Sequence, residues 1–255
     1  MILRESSTSL SIMTRVIVKA SDVAAIIGQN KFKSTDEVFN DMWKKYSPEN
    51  FNSKTKLDLA EESLAKSDIA KEVLGNASTK RARDSDDAQK TFKEAETKIN
   101  SDSKLTSDDK IRVIDHLKTT VYTNHGTNTE DETAHRTGLD LKRDDTFYTL
   151  HIGEYNDREY VVVGRVDRIE TQPDGSKVLV EIKNRTKTLF RKVYPSEMIQ
   201  IQVYLEMLDL EKAKLIEQFN KQVNTMEVTR DRDMFENEIM KGLEKFCFRL
   251  SQAMV

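Results

Sequence analysis

The strongest constraint on this chain's fold lies between Gly138 and Lys183, where short runs with strand character alternate with turn signals. Thr146–His151 and Tyr160–Asp167 flank Asn156-Asp157, and Lys177–Lys183 follows Pro173-Asp174-Gly175. Asn, Asp, Pro and Gly set or tolerate the dihedrals that a tight reversal requires, so these runs read as strands joined by turns. A sheet must be covered, and helical patterns on both sides supply the cover. Upstream, Ser21 is an N-cap candidate and Gly28 a stop for a short helix over Val23–Ile27, and a second helix runs from Ser34-Thr35-Asp36 past Trp43 to Pro48. Ile111, Ile114, Leu117 and Val121 mark another, running toward Gly126. Downstream come a helix over Pro195–Leu210, strands at Leu215–Phe219 and Val223–Val228, and a closing helix over Asp233–Met254. The order predicts an α/β or α+β domain with a central mixed β-sheet flanked by helices.

Charge narrows the function classes. The 255 residues hold 41 Lys+Arg against 44 Asp+Glu, a formal charge of −3, which excludes binding of nucleic acid by bulk positive charge alone. Charged residues make up 33% of the chain, above the usual share of about 25%. The excess sits in residues 47–110, which carry 12 basic and 14 acidic residues and read as a charged helical insertion or arm with Gly75 as a break. A lone cysteine, Cys247, rules out an internal disulfide framework and a Cys-based metal site, and fits an intracellular, reducing compartment. The N-terminal stretch 1–14 lacks a continuous apolar region and reads as a disordered leader rather than a secretory signal.

The hairpin carries the chemistry. With its turn centred on Asp174, Asp167 and Glu181 become cross-strand neighbours, where like charges repel and a divalent cation would offset the repulsion. Lys183 follows two residues on, on the same face, with Val178, Val180 and Ile182 turned the other way. Gln200 and Tyr204, four apart, share one face of the next helix and could point back at the sheet end. Between them, residues 183–192 hold five basic residues and no acidic one, with Phe190 and Tyr194 alongside, as backbone tracking of a nucleic acid requires. The Asp-x13-Glu-x-Lys spacing alone is common, and an exposed polar hairpin face needs no function.

Taken together, Gly164-Arg-Val-Asp167, Val180-Glu181-Ile-Lys183 and Gln200-Ile-Gln-Val-Tyr204 resemble the PD-(D/E)xK nuclease superfamily with the Gln-x-x-x-Tyr motif of its RecB and lambda-exonuclease branches. Ala20-Ser21-Asp22-Val-Ala-Ala-Ile-Ile-Gly28 and Gly126-Thr-Asn-Thr-Glu130 resemble motifs of the YqaJ-like, lambda-type viral exonucleases, and Glu181-Ile-Lys-Asn-Arg185 is similar to the versions of large DNA viruses. The resemblance covers residues 15–28 and about 121–204 and leaves the charged block unmatched.

What the resemblance implies is a restriction-endonuclease-like core and a metal-dependent phosphodiesterase. Residues 15–255 would form one nuclease domain with its catalytic core at 121–210. Asp167, Glu181 and the carbonyl of Ile182 would be metal ligands, with Glu130 a further ligand from the helix side, for Mg2+ or Mn2+ as two ions. Lys183 would position or deprotonate the attacking water, Gln200 would orient Lys183 or the phosphate, and Tyr204 would support it. Ser21 matches a 5′-phosphate contact, while Arg15 is out of register and Arg165 stands where a small hydroxyl is expected. Arg185, Lys187, Arg191 and Lys192 complete the expected DNA-binding set.

The function so implied is a DNA exonuclease acting 5′→3′ on duplex ends in viral recombination or repair. Alternatives are a RecB-like single-strand or structure-specific nuclease and a non-cleaving DNA-end-binding scaffold. A third is an interaction protein built on the charged helices. Expected partners are duplex ends with a 5′ phosphate, further copies of the chain in a trimeric ring and a single-strand annealing protein, in the virus factory or nucleus of an infected cell and without a membrane.

Overall fold

The computed structural model describes residues 13–139 and 141–255. The expected leader lies outside them up to residue 12, and Thr14 already opens the first strand.

β1 (Thr14–Lys19) buries Val16 and Val18 and runs parallel to β4 (Arg158–Gly164), which pairs antiparallel with β3 (Tyr148–Tyr155). Asn156 and Asp157 join β3 to β4 with φ of 48° and 57°, the left-handed pair that suits a two-residue hairpin. A second sheet has the order β2 (Leu141–Arg143), β5 (Arg168–Thr171), β6 (Lys177–Asn184), β7 (Lys212–Phe219), β8 (Gln222–Thr229). Within it β6 and β7 are parallel and the other pairs antiparallel. The class is the expected α/β with mixed pairing, but the strands form two sheets where one was expected. The break falls at residues 165–167, inside the run that reads as one strand: β4 ends at Gly164, β5 begins at Arg168, and the two join different sheets.

The β5–β6 hairpin turns at Gly175, φ 84°, with Gln172 N–H donating to the Ser176 carbonyl at 2.8 Å. Arg168 faces Val180 and Thr171 faces Lys177, the register expected of a turn centred on Asp174. Both faces of β6 are buried. Leu179 joins the main core, whereas Val180 and Ile182 pack with Ala134 and Ile216 on the other side.

Helices cover the sheets. A 3-10 turn (Ala20–Asp22) leads into α1 (Val23–Ile26), ended by Gly28 at φ 76°. Ser34 and Glu37 form a capping box on α2 (Thr35–Tyr46). α7 (Pro195–Leu208) starts on a proline, whose missing N–H costs nothing in a first turn, and buries Ile201, Val203 and Leu205 in the main core. The closing segment is α8 (Arg232–Met234), a π-turn (Phe235–Met240) and α9 (Lys241–Ala253) rather than one regular helix, with Leu243, Phe246, Cys247 and Leu250 in the same core.

The charged stretch folds into α3 (Lys56–Ala65), α4 (Asp68–Thr79) and α5 (Ser85–Ser101), followed by α6 (Ser107–Arg136). Leu64, Val73, Ala95, Ile99, Val113 and Leu117 form a separate apolar core among these helices. Gly75 lies inside α4, so it is not the break that was expected, and α6 runs on through Gly126 to Arg136.

Buried positions of α6 include Asp109, Val113, Leu117, Val121, His125, Thr129 and Thr133, one every fourth residue. Four residues exceed a full turn by about 40°, so this stripe winds around the helix. It faces the bundle at the N-terminal end and the second sheet at the other, turning polar where it reaches the strand ends. No helix among the described residues is long and apolar enough to cross a membrane.

Candidate active site

Asp167 sits in the bend between the two sheets, one residue before β5. β6 continues past the start of β5, which leaves the Ile182 N–H without a strand partner on that side. The Asp167 carboxylate accepts it, Oδ2 to N at 2.7 Å. Glu181, 2% exposed, points from β6 toward α7. Its Oε1 takes the Lys183 ammonium at 2.6 Å, while its Oε2 is buried without a partner. Lys183 Nζ also donates to Gln200 Oε1 at 3.3 Å, and Gln200 Nε2 lies 3.5 Å from the Tyr204 hydroxyl. Tyr204 is buried against Gly164 and Ala20.

The electrostatics follow from crowding acids in a dry place. Burial, reinforced by the charge of Asp167, pushes the Glu181 carboxyl up to about 7 although Lys183 acts the other way. Glu130, half-buried on α6, is likewise raised to about 7 by burial and then by Asp167. Burial works against the Lys183 charge, but Glu181 and Asp167 outweigh it and hold the ammonium above the ordinary lysine value.

Among the described residues no three His, Cys, Asp or Glu side chains converge as a ready-made cation cage. The donors at this rim still suit a hard cation. Asp167 and Glu181 offer carboxylate oxygens, the orphaned Glu181 Oε2 is an acceptor in need of a positive partner, and magnesium sites commonly take one or two carboxylates plus substrate phosphate.

The expected DNA-binding residues divide. Ser21 is exposed in the 3-10 turn, next to Ala20, which packs against Gly164. Arg165 is exposed just past β4 and faces Asp145 at 3.4 Å. Lys187, Arg191 and Lys192 are exposed, with Lys192 Nζ 4.8 Å above the Tyr194 ring. Two others are engaged within the chain. Arg15 lies toward the far end of β1 from Ser21, its Nε held by Glu159 at 2.8 Å. Arg185, with a side chain 9% exposed, bridges Glu197 at 2.5 Å and Glu217 at 3.0 Å and stacks on Phe190. It is a buried pin, because the loop folds back over β7 instead of extending into solvent.

No family model matches the sequence, and no curated protein matches it. Among solved structures, a phage-related exonuclease from Haemophilus somnus 129PT is 13% identical, with 94% of this chain and 97% of that chain covered at a TM-score of 0.44. An alkaline exonuclease from Laribacter hongkongensis, LHK-Exo, is 14% identical over 76% of this chain and 94% of its own, at a TM-score of 0.41. Its complex with dAMP gives 15% identity over 76% and 91%, also at 0.41. Likenesses at this level do not place the chain in a family.

Several residues around the site escaped the sequence reading. Glu217, fully buried, accepts from Phe190 N at 3.0 Å, Arg191 N at 2.6 Å, Arg185 Nε and Asn224 Nδ2, and so shapes the basic loop. Arg168, 4% exposed, donates to the Asp167 carbonyl at 2.6 Å and pairs with the exposed Asp131. Asn184 ties β6 to α6. For Glu217 the signal in the sequence was a charged residue directly after the apolar pair Leu215-Ile216.

Proposed function

We propose that this chain is a divalent-metal-dependent deoxyribonuclease, an exonuclease that hydrolyses phosphodiester bonds of duplex DNA from the 5′ end. The observation that carries the reading is the Lys183 ammonium held between Glu181 and Gln200 beside the Asp167 carboxylate, on the buried rim of the β5–β6 hairpin. Asp167, Glu181 and the Ile182 carbonyl would hold Mg2+ or Mn2+, two ions being the expected complement, with Glu130 contributing from α6. The metal would supply a water of lowered pKa and positive charge for the attacking and leaving oxygens.

The chain's own groups do the rest. An ammonium has three donors, and two of those of Lys183 are engaged by Glu181 and Gln200, leaving one for a phosphate oxygen or the attacking water. Gln200 fixes the direction of that free donor. Tyr204 backs Gln200 and is itself locked by contact with Gly164. Lys187, Arg191 and Lys192 follow the phosphate backbone as it approaches, with Phe190 and Tyr194 beside them, and Ser21 receives the terminal 5′ phosphate. Assembly as a trimeric ring, handing exposed strands to an annealing protein and action in viral recombination or repair, in the virus factory or nucleus, belong to the same reading.

The test is digestion of a linear duplex labelled separately at each end, with and without 5′ phosphate and with and without magnesium. The expected result is magnesium-dependent loss of 5′-terminal label first, faster on phosphorylated ends, and its abolition by Asp167→Ala or Lys183→Ala. Undiminished cleavage by the purified variants would overturn the catalytic roles of Asp167 and Lys183.

A further inference from the structure

Two strands of the second sheet grip α6 near its C-terminal end. Asn184, the last residue of β6, donates from Nδ2 to the Gly126 carbonyl at 2.9 Å and accepts from Thr133 Oγ1 at 2.5 Å. Arg168, the first residue of β5, pairs through Nη2 with Asp131 while its Nη1 holds the Asp167 carbonyl at 2.6 Å. A buried guanidinium is a costly way to hold a helix, since apolar residues of similar volume often stabilise as well or better. Ionic and amide contacts have directional demands that apolar packing lacks, so they can set register.

Glu130 lies between these grips, four residues after Gly126 and one before Asp131. Each helix position is about 100° of rotation, so seating Asp131 on Arg168 also sets the direction in which Glu130 leaves α6. The same Arg168 fixes the main chain of Asp167, and one side chain thereby relates the two carboxylates.

We infer that Arg168 and Asn184 are positioning residues, which index α6 on the sheet and so set the direction in which Glu130 faces the Asp167–Glu181 rim, where a divalent cation would bind. The inference rests on the metal-dependent reading above, and neither residue is required to touch the reacting atoms.

Mn2+ binding to the full chain, followed by the electron paramagnetic resonance of free Mn2+ without DNA, tests it. Asp131→Ala leaves the Arg168 guanidinium, 5% exposed, with the Asp167 carbonyl as its partner and should lower the melting temperature, so Mn2+ affinity is read at a temperature where circular dichroism shows the variant folded. The substitution should weaken Mn2+ affinity roughly tenfold, the lower end of what outer partners of metal ligands cost. In a Glu130→Ala background the same substitution should weaken it no further, because the pin acts through Glu130. Asn184→Ala should repeat the pattern, and high Mn2+ should restore cleavage to Asp131→Ala. Wild-type Mn2+ affinity in Asp131→Ala, or an effect that adds in full to that of Glu130→Ala, would overturn this inference alone. A wild-type chain that binds no Mn2+ would overturn the metal-dependent reading and the inference with it.

Discussion

A Cβ atom placed on Gly164 would stand 2.5 Å from Cε1 of Tyr204 and 2.7 Å from Cβ of Ala20, and neither neighbour is the end of a flexible chain. Tyr204 can approach β4 only because residue 164 is glycine. Gly164→Ala should therefore cost about 1–3 kcal/mol in overpacking, read as a lowered denaturation midpoint. Activity should fall by more than stability explains, since Gln200 loses its backing. An unchanged midpoint would show that the contact is soft. At this scale the contacts near Asp167 were legible in part because they follow local rules: the hairpin register put Asp167, Glu181 and Lys183 at one rim and the helix repeat put Gln200 and Tyr204 on one face, while the Lys183–Gln200 bond joins the two. Arg185 was not legible. Its sign suggested DNA, whereas its partners Glu197 and Glu217 come from a helix and a strand that no local rule brings to the loop.

The elements around the site depend on such distant partners. Glu217 stands in β7, yet its carboxylate takes the backbone N–H groups of Phe190 and Arg191 and thereby holds the loop that displays Lys187, Arg191 and Lys192. Glu217→Ala would leave those donors and part of the Arg185 guanidinium buried without a partner, at a cost of roughly 3 kcal/mol. Protease cleavage within residues 185–192 should increase as well. Retained stability and an unaltered cleavage pattern would contradict the anchoring role. The α6 helix shows the limit of reading periodicity: its buried stripe continues to Thr133, but it turns polar after Val121, so the apolar signal stops near Gly126 while the helix does not. Likewise β1 joins β4 by long-range parallel pairing, for which a short Val16-Ile17-Val18 run gives no address.

Across the whole molecule α6 links two apolar clusters, with Val113, Leu117 and Val121 in the core under the helices of the charged stretch and Ala134 in the small cluster against β6 and β7. The charge excess of that stretch was legible, but not its internal core, which is built from well-spaced Ala, Val, Leu and Ile among many charges. Asp109 ties this bundle together, accepting from Lys66 at 2.6 Å, Ser63 at 2.8 Å and Thr106 at 2.7 Å, bonds that hold its carboxyl well below the ordinary 3.8. A carboxyl depressed on folding stabilises above its unfolded value and loses that contribution as pH falls below it. The stability advantage of wild type over Asp109→Asn should thus be full at pH 6 and shrink as pH falls below 3.8, followed by urea unfolding monitored at helical wavelengths. A constant difference from pH 6 to pH 2.5 would contradict this.

The central claim is that Asp167 and Glu181 are held at one sheet rim, with Lys183 beside them, in order to take a divalent cation. Crystals soaked in manganese chloride and measured near the manganese edge address it most directly. An anomalous peak between the two carboxylates, with Glu181 Oε2 among its ligands, is the predicted result. Bare density there, with Glu181 still closed on Lys183 at saturating manganese, would contradict it.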